Sequence, residues 1–67
     1  MNIGERLKEL RQTNNIKQYQ LAQALNVHPT TITKYESGER TPDLKTLCKI
    51  ADYFDVSVDF LLGRTKY

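Results

Sequence analysis

The chain has 67 residues, 39% of them hydrophobic and 27% charged, and a formal net charge of +2. That excludes a disordered tail and bounds the chain to one domain, 1–67, whose small core leaves little margin unless helix ends are capped or copies pair. A lone cysteine, Cys48, excludes an internal disulfide; the lack of a membrane-length apolar run or a secretory apolar block at the start makes a soluble, cytoplasmic protein the expectation.

Five helices and no strand are predicted, an all-α fold. Asn2 caps the first, with Glu5 three residues on completing a capping box. Ile3, Leu7 and Leu10 share one face at helical spacing, and Asn14-Asn15 ends the helix. The second runs from about Lys17 to Leu25 with Leu21, Ala22 and Leu25 inward. Asn26 follows, and after glycine asparagine tolerates positive φ most readily. Val27 plugs the corner. The third begins near His28, and Pro29 suits its first position because the missing N–H has no partner there anyway. Ile32 and Tyr35 point inward, and Gly38 stops the helix in the left-handed conformation. Asp43 caps the fourth, whose inner face is read as Leu44, Leu47, Ala51 and Phe54. Ser57 caps the fifth, Val56 and Leu61 form a hydrophobic staple across that cap, and Gly63 closes it. No sequence repeat or linker divides the chain.

The informative stretch is Gln18-Tyr-Gln-Leu-Ala-Gln-Ala-Leu-Asn-Val-His-Pro-Thr-Thr-Ile-Thr-Lys-Tyr-Glu-Ser37. Small Ala22 at a helix crossing, Asn26 at the turn and Val27, Ile32 and Tyr35 fixing the next helix make a helix-turn-helix over about 17–37. Charge agrees with that placement. Residues 10–42 hold Arg11, Lys17, Lys34 and Arg40 against only Glu36 and Glu39, whereas Lys45, Lys49, Arg64 and Lys66 are matched by Asp43, Asp52, Asp55 and Asp59. A cationic surplus around the motif is the footprint of a nucleic-acid surface, though ordinary surface scatter gives the same count.

From Ile3-Gly-Glu-Arg-Leu through Gln18-Tyr-Gln-Leu-Ala, Ile32-Thr-Lys-Tyr-Glu-Ser-Gly and Thr41-Pro-Asp-Leu to Val56-Ser-Val-Asp-Phe-Leu-Leu, the chain resembles the lambda-repressor-like (Cro/Xre) helix-turn-helix family of bacterial and phage regulators. The resemblance covers nearly the whole chain. It implies a five-helix DNA-binding domain, transcription regulation, most often repression, a palindromic double-stranded operator bound as a homodimer, and no catalysis. By position, Pro29, Thr30 and Lys34 match residues that meet base edges, with Thr33 on the same face. Lys34 would donate to guanine, Thr30 would bond a base edge, and Pro29 or a threonine methyl would touch a thymine methyl. Gln18, Thr31, Ser37 and Arg40 match phosphate and sugar contacts, which set register rather than sequence. Arg11 and Glu36 match a structural ion pair.

Three residues depart from the family pattern. Lys17 stands where Ser or Thr usually caps the second helix; the cap is lost, at about 1 kcal/mol, and a cation is gained for a phosphate. His28 replaces the Ser or Thr that caps the third helix. Protonated, it lies beside the positive helix end, which makes DNA binding pH-dependent. Pro29 replaces a longer polar residue and donates nothing, so specificity leans on Thr30, Lys34 and DNA shape.

Other residues carry no chemistry of their own. One His and one Cys make no metal site, Cys48 is expected near the core face as an inert thiol, and isolated Gly4, Gly38 and Gly63 build no phosphate loop. No cofactor, membrane segment or small-molecule ligand is evident. Tyr35 is expected in the core, Tyr19 and Tyr53 at the surface and Tyr67 in the tail. Val58, Leu61 and Leu62 are the expected inner stripe of the last helix, with Phe60, about 200° from Val58, facing outward as a dimer contact. The alternative function is a protein-interaction module on the same fold, antitoxin-like or an anti-repressor partner, for which an apolar rather than polar third-helix face would speak.

Overall fold

The computed structural model describes residues 2–66 as five α-helices, with no strand among them: α1 (Ile3–Thr13), α2 (Gln18–Leu25), α3 (Pro29–Ser37), α4 (Leu44–Phe54) and α5 (Val58–Leu61). Tyr67 lies outside the described residues. Helix boundaries follow the local chemistry. The Asn2, Asp43 and Ser57 side chains accept the N–H groups of Glu5, Thr46 and Phe60, satisfying donors that no helical carbonyl reaches. Left-handed residues end or follow the helices: Asn15 after α1, Asn26 after α2, Gly38 after α3, Asp55 after α4 and Gly63 after α5.

The core gathers Leu7, Leu21, Ala22, Leu25, Ile32, Tyr35, Leu47, Ile50, Ala51 and Leu61, with Ile3, Leu10, Ile16, Val27, Phe54, Val56 and Val58 packed around it. α3 lies against both α1 and α2, while α5 bridges α4 and α1. Gly4 makes the α1–α3 approach possible. A Cβ there would stand 2.4 Å from the Tyr35 carbonyl oxygen and 2.8 Å from that of Glu36, far inside contact distance.

The second half departs from the pattern read in the sequence. Leu44 is 70% exposed, and Ile50, absent from the expected inner face, is fully buried. Cα–Cβ bonds tilt toward a helix's amino end, so Leu44, at the first position of α4, projects past the start of the helix into solvent. With Ile50 included, the buried stripe centres near Leu47 and Phe54. Cys48 then falls about 110° away, and it is exposed rather than near the core. Leu62 follows the last helical residue and is 42% exposed, not part of the inner stripe. Phe60 does not point freely outward either. It is half-buried, with the Arg6 guanidinium 5.1 Å from its ring centre, beside a cleft of about 160 Å³ lined also by Glu9, Leu10 and Thr13. On this four-residue helix between α4 and α1 the open side belongs to Asp59, not to Phe60.

Candidate nucleic-acid interface

The turn between α2 and α3 is built by the backbone. Asn26 adopts φ 58° and ψ 45°, and Val27 returns its N–H to the Ala22 carbonyl at 2.9 Å. The next residue, His28, caps α3 with its ring: Nδ1 accepts the Thr30 N–H at 3.1 Å. An accepting Nδ1 requires the neutral ring with its proton on Nε2. Histidine thus does here what Ser or Thr does at other caps, and a proton on Nδ1 would remove the bond. Lys17 has no acceptor to cap α2, but the reverse half of a capping box is present, because Gln20 Oε1 accepts the Lys17 N–H at 2.8 Å. The loss expected at that helix end is offset in part.

A polar chain crosses from α1 to the exposed side of α3. Arg11 grips Glu36 with two parallel bonds, Nε to Oε2 at 2.7 Å and Nη2 to Oε1 at 3.1 Å, and its Nη1 donates to the Ile16 carbonyl at 2.9 Å. The pair is mostly buried, with 12% and 5% of the two side chains exposed. Gln18 Nε2 donates to Glu36 Oε1 at 3.1 Å, and Thr33 Oγ1 donates to Gln18 Oε1 at 3.1 Å. Side chains from α1, α2 and α3 are thereby locked in one network, which holds the amino end of α2 at a fixed angle to α3.

Around that network Lys17, Pro29, Thr30, Thr33 and Lys34 are exposed together, with Gln18 and Thr31 half-buried among them. Ser37 and Arg40 lie at the other end of α3 and are engaged internally. The Ser37 hydroxyl donates to the Lys34 carbonyl at 3.1 Å and accepts the Glu39 N–H at 3.4 Å. Arg40 returns its N–H to the same carbonyl at 3.2 Å and lays its guanidinium 5.9 Å from the Tyr35 ring centre. Phe60 lies against α1, beside Arg6, Glu9, Leu10 and Thr13. The sequence reading missed the Gln18–Glu36 and Gln18–Thr33 links, because neither partner is at helical spacing from the other. Of the titrating groups, Asp43 is held below the usual carboxylate range by hydrogen bonds from the Thr46 side chain and then its N–H.

A sequence profile described as helix-turn-helix matches residues 7–61. The chain is 41% identical over 64 residues to the HTH-type transcriptional regulator ImmR of Bacillus subtilis, covering 96% of this chain and 50% of that protein. It is 44% identical over 64 residues to the cryptic phage CTXphi transcriptional repressor RstR of Vibrio cholerae, covering 96% and 57%. It spans about half the length of these relatives. Among solved structures it is similar to the P22 c2 repressor in complex with a synthetic operator, with a TM-score of 0.90, 26% identity and coverage of 97% of this chain and 98% of that one.

Proposed function

Because the chain belongs to the lambda-repressor-like helix-turn-helix family, we propose that it is a sequence-specific double-stranded DNA-binding regulator of transcription, a repressor acting as a homodimer on a palindromic operator. One observation carries this reading: the amino end of α3 presents Pro29, Thr30, Thr33 and Lys34 to solvent while the Arg11–Glu36–Gln18 network fixes that helix from behind. A pre-set polar helix end is what the major groove admits. Pro29, Thr30, Thr33 and Lys34 meet base edges. Lys17, Gln18, Thr31, Ser37 and Arg40 hold phosphates, Ser37 and Arg40 after exchanging their internal partners. The principal extents of 28 × 23 × 20 Å are compatible with two copies presenting their helices about 34 Å apart, one turn of B-DNA.

In this reading residues 1–67 are one binding domain working at the nucleoid, without a cofactor and without chemistry of its own. Phe60, half-covered by Arg6, contributes to the dimer contact from the edge of α5. Exposed Leu44 and Leu62 favour a second reading, a protein-interaction module, with Leu62 beside Tyr35 and Arg40 at the carboxyl end of α3.

Binding to random duplex DNA across a salt series separates the two readings. If Lys17, Lys34 and Arg40 of both copies each neutralise one phosphate, about six counterions are released and log K falls against log salt with a slope of about −5. A response independent of salt would sink the DNA reading and favour the interaction module.

A further inference from the structure

We propose that Thr33 reads a base amino group, so that one position in each half-site favours adenine or cytosine at the strand it faces. The inference rests on the DNA-binding reading and adds the chemistry of one contact.

It follows from which atom holds each proton along the network. A carboxylate only accepts hydrogen bonds, and both Glu36 oxygens already accept one from Arg11. The Gln18 amide therefore turns its nitrogen to Glu36, and its oxygen is left facing α3. That oxygen takes the Thr33 hydroxyl proton at 3.1 Å. The other acceptor in reach is the Pro29 carbonyl at 3.4 Å, in the same helix. With either partner the proton points into the protein.

Thr33 is exposed on the same face as Pro29 and Thr30, four and three residues before it. What it offers outward is an oxygen with a free lone pair and a methyl group, and no donor. In the major groove, adenine N6 and cytosine N4 are donors, while guanine O6 and N7 and thymine O4 are acceptors. An oxygen that only accepts bonds the first pair and repels the second. To serve a keto group the hydroxyl would have to leave Gln18, whose oxygen would then lack a partner. Lys34, one residue on, has the opposite polarity, since an ammonium only donates. The two neighbours thus distinguish amino from keto bases in opposite senses.

The test uses the full chain and an operator selected from a random duplex pool. Each half-site position is varied through all four base pairs, and dissociation constants are measured for the wild type, Thr33→Val and Thr33→Ser. The expected result is one position where the wild type prefers adenine or cytosine by roughly threefold to tenfold, the range of one neutral hydrogen bond. Thr33→Ser keeps the preference, and Thr33→Val, which retains the shape without the oxygen, flattens it. Replacing that base by an analogue lacking only its amino group costs the wild type the same factor and leaves Thr33→Val indifferent. If Thr33→Val flattens no position, or flattens one that favours guanine or thymine, the assignment of Thr33 is overturned while the DNA reading stands. If the wild type binds no duplex at all, both fall.

Discussion

The molecule makes the same corner twice and uses it differently each time. Between α2 and α3, left-handed Asn26 is followed by Val27, whose N–H returns to Ala22 at 2.9 Å, and by the cap His28. Between α4 and α5, left-handed Asp55 is followed by Val56, whose N–H returns to Ala51 at 2.9 Å, and by the cap Ser57. Even the backbone angles agree, φ 58° and ψ 45° against φ 55° and ψ 47°. The corner alone therefore does not decide what the helix after it presents. After the first corner comes a nine-residue helix tied to α1 and α2 by side-chain hydrogen bonds, with its polar amino end in solvent. After the second comes a four-residue helix held mainly by Leu61 in the core and by Phe60 against α1.

The first pair depends on polar cross-links, so removing one should cost most. Glu36→Ala strands the Arg11 guanidinium, 12% exposed, and frees Gln18. A loss of about 3–5 kcal/mol is expected, read as a melting temperature lower by well over 10 °C. An unchanged melting curve would mean that the network is decoration.

The second pair depends on apolar burial. Ile50→Ala should cost about 2–5 kcal/mol, whereas Leu44→Ala, on the same helix, should stay within about 0.5 kcal/mol. Denaturant midpoints decide this, and equal losses from the two variants would contradict the burial of one residue and the exposure of the other. If copies pair through Leu44, its cost would instead vary with protein concentration.

The smallest effect belongs to the cap that opens α4. Asp43 has a lowered pKa in the fold, so its contribution is present above the ordinary aspartate value and is lost as pH falls through the folded value, below about 3.9. Asp43→Asn should therefore show a shallower loss of stability than the wild type on acidification below that point and little difference near neutrality. A matching acid profile in the two proteins would remove the cap from the account.

Much of this architecture was legible in the sequence because it is local. Asn2, Asp43 and Ser57 announce helix starts by their own hydrogen bonding, Asn26 and Gly38 announce ends by tolerating positive φ, and helical spacing placed Leu21, Leu25, Ile32 and Tyr35 inside. Errors arose where spacing left a choice of stripe. Leu44-Leu47-Ala51-Phe54 and Leu47-Ile50-Ala51-Phe54 are both acceptable helical faces, and only the position of α2 and α5 selects the second. The repeated corner was hidden because its two copies share just alanine and valine at matching places. In the proposed DNA surface, residue types were readable but their hydrogen-bond polarity was not. That polarity depends on Gln18, Thr33 and Glu36, 15 and 18 residues apart, meeting in space.

The glycine at position 4 has a consequence for how motion would pass through the molecule. Its hydrogen lies where any side chain would strike the carbonyls of Tyr35 and Glu36, so the first turn of α1 rests on the backbone of α3 with nothing compressible between them. Side chains in a core can change rotamer to absorb a push; two main chains in contact have no such slack. Whatever tugs on the amino end of α1 is therefore geared straight to the carboxyl end of α3, and the joint serves as a rigid coupling rather than a cushion.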